Sequence, residues 1–215
     1  MTFQDHMRRM GARALEAFPE ALRPQIYVVS FRIWRNDSFD DRHPYLAIGY
    51  NTEDELRRVP AEQRDPDPDE ARWNYAWWPL DEIAGVIGHD PADPTGAALH
   101  TAEVKELGLW YEDDGGDEGE ADDDDDDEVS VRNELLELHF DEACIDLARH
   151  LHSSGRITEI LGRPVPIVLF DMYRAGYEET LTEAANPPEV VADYLAWCRE
   201  EEAGEAGEAE AGEAA

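Results

Sequence analysis

Apolar residues recur at helical spacing over residues 3–18, where Phe3, Met7, Met10, Ala14, Leu15 and Phe18 share one face. That periodicity predicts an amphipathic helix, and Pro19 and Pro24 then interrupt it. The period changes over residues 25–34, which are rich in β-branched and aromatic side chains. A strand is predicted there, with Tyr27, Val29, Phe31 and Ile33 on one face. The polar stretch 35–43 turns the chain and residues 44–50 form a second strand, so the two make an antiparallel hairpin with a longer loop.

Thr52 and Glu55 have capping-box spacing, which starts a helix directly after the second strand. Pro60 and the run 64–70 end it, and Asp65-Pro66-Asp67-Pro68-Asp69 is expected as an extended connector. Residues 72–78 hold Trp73, Tyr75, Trp77 and Trp78, too apolar a group to stand in water. Pro79 is expected to open a short helix through Ile87, and residues 94–111 are mostly helical. The longest helix is expected over 129–161, with a break at Ser153-Ser154-Gly155 and a core stripe of Leu136, Phe140, Ala143, Leu147 and Leu151. Residues 166–172 form a further strand, whose continuous apolar run 167–170 suggests an interior position. Asn186-Pro187-Pro188-Glu189 has the order of an Asn cap, Pro in the first turn and Glu three residues after the cap. A last helix then packs through Val190, Val191, Tyr194, Leu195, Trp197 and Cys198. The expected architecture is α/β-type (α+β): a small central mixed or antiparallel sheet of about four strands packed by several helices. It spans 1–199 as one domain, interrupted by an acidic disordered insertion at 112–128 and followed by a disordered acidic tail at 200–215.

Charge changes the picture most. The 215 residues include 52 acidic and 18 basic side chains, a formal net charge of -34. Residues 112–128 and 200–215 hold 20 of the acids, so the rest of the chain still carries 32 against 18 and stays at -14. Such a field repels nucleic acid and anionic membrane surfaces and attracts a basic partner. Lys105 is the one lysine among the bases, and the tail is rich in Ala and Gly. Both features suit a GC-rich, salt-adapted genome, in which acidity serves solubility alone. Residues 1–22 carry charges throughout and contain no apolar h-region, so no signal peptide is expected. No apolar run approaches membrane-spanning length, and a cytoplasmic location is the simplest expectation. Cys144 and Cys198 are too few and too far apart for a disulfide framework or a zinc site. Small buried hydrophobes are their expected role.

Candidate chemistry is sparse. Walker, GxGxxG, GxSxG and HExxH patterns are absent from the sequence, and no catalytic residue or cofactor is expected. His139, Asp146 and His150 project from nearly one azimuth of the long helix and are the metal candidates. The two histidines are roughly 16 Å apart along the helix axis, too far to share one ion, so a polar row flanking the core stripe is the favoured reading. His150-Leu151-His152 is weaker still, because residues two apart point to different sides. Asp37, Asp40, Asp41 and His43 form the hairpin loop, which could hold a cation or meet an Arg-rich partner but lacks calcium-loop spacing. Trp73, Trp77 and Trp78 could line a groove, with core packing the better account of Trp73 and Trp77. The Asp122-to-Asp127 run matches a solvated linker better than a phosphate mimic.

Three landmarks in order resemble a bacterial domain family of unknown function associated with polymorphic toxin immunity. Asn51-Thr52-Glu53-Asp54 after a strand pair is similar to the family's Asn-Thr-Glu-Glu segment. Arg72-Trp73-Asn74-Tyr75-Ala76-Trp77 is similar to its Arg-Trp…Trp element. Residues 166–171 lead to Ala185-Asn186-Pro187 and a final helix reaching Trp197, as in the family. The resemblance covers roughly residues 3–199. It departs in the middle of the tryptophan segment and in the insertion 112–128. It implies an α/β-type fold and an immunity role, and it supplies no catalytic residues. The leading expectation is therefore a non-enzymatic binding protein for a basic, toxin-like partner, with Asp40, Asp41 and Trp78 as contacts. The alternative is a metal-dependent or hydrolytic enzyme with a His/carboxylate site.

Overall fold

Four strands form one mixed sheet in the order β3-β2-β1-β4, packed by helices, in a computed structural model that describes residues 1–35, 40–62, 68–79, 82–112 and 123–213. The chain begins with α1 (Phe3–Ala17), capped by Thr2, whose hydroxyl accepts from Asp5 N at 3.1 Å while the Asp5 carboxylate accepts from Thr2 N. β1 (Ile26–Arg35) and β2 (Pro44–Thr52) pair antiparallel, and α2 (Glu53–Glu62) follows at once, with Glu55 N donating to Thr52 Oγ1. The acid-proline connector expected over 65–69 lies mostly outside the described residues. From Pro68 the chain is already helical, in α3 (Pro68–Trp73) and a 3-10 turn (Tyr75–Trp77).

Tyr27 does not share a face with Val29, Phe31 and Ile33. The register shifts between Ile26 and Val28, a bulge that puts two residues opposite one and turns Tyr27 to the far side. Ile26, Val29, Phe31 and Ile33 pack with one core, whereas Tyr27 and Val28 pack with Trp73, Trp78 and Tyr194 in the other. The sheet is thus buried on both faces, between the α1/α5 layer and the α3/α8 layer.

The short helix expected from Pro79 through Ile87 is instead an edge strand, β3 (Ile83–Gly88), paired antiparallel with β2. Ile83, Val86 and Ile87 are β-branched and Gly85 and Gly88 disfavour helix, so local propensity already leaned that way. Gly85 also lets α1 approach closely: a Cβ there would lie 3.0 Å from Ala14 Cβ.

α4 (Pro94–Glu106) is followed by α5 (Asp123–Ser153), which starts six residues earlier than Val129. Residues 113–122 of the acidic segment, including Asp122, lie outside the described residues. The expected break is real. Gly155, at φ +74°, separates α5 from α6 (Arg156–Leu161), and the whole core stripe from Leu136 to Leu151 is buried. α7 (Glu178–Ala185) leads to α8 (Pro188–Glu213). α8 continues through residues expected as a tail, where all side chains are Ala, Gly or Glu and two of those three favour helix. Among the described residues no helix is long and apolar enough to cross a membrane.

β4 (Ile167–Asp171) runs parallel to β1 and lies at the edge of the sheet, not in its interior. Its apolar run reflects burial on both faces. Its outer backbone edge is closed by side chains. Thr182 Oγ1 accepts from Leu169 N at 3.0 Å and donates to Leu169 O. Asn186 accepts from Ile167 N at 2.8 Å and donates to Ile167 O at 2.7 Å. Asn186 therefore serves the strand and not, as its sequence context suggests, the helix N-terminus. Replacing Asn186→Leu strands a buried donor and acceptor. The expected loss is about 2–3 kcal/mol, read as a lower urea midpoint at unchanged m-value; a midpoint within error of the parent would remove this role.

Candidate functional site

The expected contact acids are turned towards the protein's own bases. Asp40 Oδ1 accepts from Arg42 N (3.0 Å) and Arg42 Nε (2.8 Å), and Oδ2 lies 2.6 Å from His43 Nδ1. Burial raises its pKa, but the hydrogen bonds from Arg42 and His43 outweigh that and hold the carboxyl at about 2. Asp41 Oδ1 lies 2.5 Å from Arg35 Nε. Asp37 is outside the described residues. Trp78, expected as a partner contact, is a core residue: it is 4% exposed, its ring meets Phe170 edge-on, and its indole N–H donates to Arg72 O. A flat aromatic ring gains more from a fully packed site than from a solvent-facing one.

The three metal candidates do not converge. His139 Nε2 lies 3.1 Å from Glu103 Oε1 and Asp146 accepts from Gln4 at 3.2 Å, so these two face different partners. Among the described residues no group of three or more His, Cys, Asp or Glu side chains could hold a metal ion.

Sequence reasoning missed a row of histidines that closes one end of the sheet. His43 meets His89 edge-on (centroids 4.8 Å apart), His89 Nε2 is 3.0 Å from His100 Nδ1, and His100 stacks at 6.1 Å on His139. The four come from the hairpin loop, the end of β3, α4 and α5, so no spacing along the chain could announce them. Burial, reinforced by the neighbouring histidines, lowers the pKa of His89 to about 4 and of His100 to about 3. Both are therefore neutral near pH 7, and one N–H joins them. Among the described residues His100 Nε2 has no hydrogen-bond partner. A bare lone pair costs less there than a stranded N–H, which favours His100 as the donor. Beside them, His6 Nε2 lies 2.8–2.9 Å from both oxygens of Asp93. Arg9 can only donate to His6 Nδ1, so the ring proton sits on Nε2 and faces Asp93.

A second buried group occupies the C-terminal ends of the parallel pair β1 and β4, where open sheets often receive ligands. Here it is filled by side chains. Arg35 grips Asp171 with two 3.0 Å bonds and Glu137 with one of 2.6 Å. Arg174 reaches Asp171 (2.9 Å), Asp141 (2.5 Å) and Glu137 (3.3 Å). Burial pushes the Glu137 and Asp141 carboxyls up, against the pull of Arg174. Cys144, fully buried, has its thiol pushed well up by the same cause, which keeps it a poor nucleophile. These groups interlock as a structural network.

Among the hollows of the described residues, one of about 450 Å³ is a groove between α3 with its 3-10 turn, the start of α7, and α8. It is lined by the buried Trp73 and Tyr194, the half-buried Tyr75 and Trp197, and the carboxylates of Glu178, Glu179 and Glu201. Among the described residues the indole N–H of Trp197 finds no hydrogen-bond acceptor. A smaller hollow of about 290 Å³ shares Trp73 and Trp197 and adds Asp69, Asp193 and Glu200 beside Arg72, which is paired with Glu53 at 2.9 Å. The position of the groove came from the fold: Trp73 and Trp197 are far apart in sequence, and only α8 lying over α3 brings them together. Meanwhile Arg32, Arg35 and Arg42 are buried, so the surface is poorer in cations than the composition suggests. Compared with protein-family models, with curated proteins and with solved structures, the chain finds no match in any of the three.

Proposed function

We propose that this chain is a non-enzymatic, cytoplasmic binding protein for a basic protein partner, in the manner of an immunity protein that holds a cationic toxin. The observation that carries this reading is the aromatic groove bordered by Glu178, Glu179 and Glu201, set in a chain of net charge -34. An aromatic surface gives contact area at low entropic cost, and the acids around it discriminate for positive charge. The field of the remaining acids steers such a partner and accelerates encounter more than it tightens the final complex.

The test is capture from a lysate of the source cells with the intact chain as bait, at low and at high ionic strength. A basic protein bound at low salt, released as screening rises, and rebinding as a purified one-to-one complex is the expected result. Recovery of acidic or neutral proteins only, at either salt, would overturn it.

A further inference from the structure

We infer that the groove between α3 and α8 receives an arginine side chain of the partner, held between its aromatic rings and its carboxylates. This rests on the reading of a basic partner and adds what the contact is made of.

The fold shows how it holds a guanidinium. Arg72 lies 4.3 Å from the centroid of Tyr27 and 5.3 Å from that of Trp73 while pairing with Glu53. Arg42 lies 4.5 Å from the Tyr111 centroid and pairs with Asp40. Arg35 lies over Tyr173 and pairs with Asp171, and Arg174 lies over Tyr177 and pairs with Asp141. At each of these four places the guanidinium carbon lies over an aromatic ring while a carboxylate takes the N–H groups. The physical reason is common to all: a guanidinium is planar and weakly hydrated, so it stacks on a π-face and still offers its rim of donors.

The groove offers the same two elements, and among the described residues no arginine lines it. Tyr75 and Trp197 provide ring surface, and Glu178, Glu179 and Glu201 provide carboxylates. Glu178 is already oriented, since it accepts from Gly176 N at 2.7 Å. Arg199 sits 3.7 Å from Glu179 on the exposed side, a contact too long for a firm hydrogen bond. The groove's 450 Å³ falls in the range of sites that enclose a small ligand, which leaves space for the side chain and its flanking backbone. Lysine fits less well, because its compact, strongly hydrated ammonium gains less from stacking.

The experiment titrates the intact chain with acetylated, amidated hexa-arginine and hexa-lysine peptides at low ionic strength, followed by calorimetry and tryptophan fluorescence. Expected are tighter binding of hexa-arginine than of hexa-lysine and a change in tryptophan emission. Trp197→Ala should weaken the arginine peptide about fivefold to thirtyfold. The double variant Glu178→Gln/Glu201→Gln should weaken it as well. It changes no packing volume, so it stands even if Trp197→Ala disturbs the helix. If both peptides bind equally and both variants bind like the parent, the groove is not the contact, while the basic-partner reading survives. If neither peptide binds at low ionic strength, both inferences fall together.

Discussion

Stability should fall as the pH drops from about 6.5 towards 5, well before most carboxylates titrate. His89 and His100 carry the effect. Their folded pKa values, about 4 and about 3, lie below the ordinary 6.5, so between these limits the unfolded chain binds protons that the folded chain refuses. Stability then rises with pH across the window and is lost as pH falls through it. Each unit of depression is worth slightly more than about 1 kcal/mol, so by pH 4 the pair removes on the order of 5 kcal/mol, comparable with the whole stability of a domain. The neighbours are His43 with Asp40, His139 with Glu103, and His6 with Asp93. Asp40, held at about 2, loses its contribution only below the ordinary 3.8, outside this window. Glu137 and Asp141 act the other way, because raised carboxyls favour the folded state as they protonate. Relief of the chain's self-repulsion also begins only as carboxylates titrate. The loss should therefore be steepest above pH 5. Urea midpoints from pH 8 to 4.5, compared with a His89→Gln/His100→Phe variant, measure it. A flat profile in the parent would show that the row is solvated.

Arg35→Ala should cost about 3–5 kcal/mol at pH 7, the usual range for removing one partner of a buried ion pair. Asp171, 1% exposed, would keep only Arg174 and the Tyr173 N–H, and Glu137 and Asp41 would each lose a cation. The stranded carboxylates would bind protons more readily in the folded state. The gap between variant and parent should therefore narrow on going from pH 7 to pH 5, even though the parent itself weakens over that range. Denaturation of both proteins at the two pH values checks the sign as well as the size. A loss under about 1 kcal/mol would place the network among surface salt bridges.

These two groups also mark where sequence reasoning stopped. The landmarks of the long helix were legible because a helix repeats its buried face every turn: Leu136, Phe140, Ala143, Leu147 and Leu151 all lie in the core. The Ser-Ser-Gly break and the Thr52 cap were legible because each is decided within a few residues. Ile83–Gly88 was not. Its β-branched residues and glycines lean towards a strand, but six residues are too short for periodicity to decide, and the free edge of β2 decided it. Asn186 was misjudged for a related reason. Asn-Pro-Pro-Glu has the local grammar of a cap, yet the stronger demand came from the bare edge of β4 nineteen residues away. Trp78 and Trp197 exchanged roles. Nothing in the cluster at residues 73–78 says which ring faces the sheet, and nothing at Trp197 says that α8 will lie over α3.

By itself, then, the sequence determined the α+β class, the hairpin, the long helices with their breaks, and a strongly acidic chain, because periodicity, capping and charge are local or additive properties. Tertiary structure decided the edge position of β4, the histidine row, the arginine network and the aromatic groove. Each of those joins side chains from elements far apart in the chain, and such meetings are set by how helices and strands pack against one sheet.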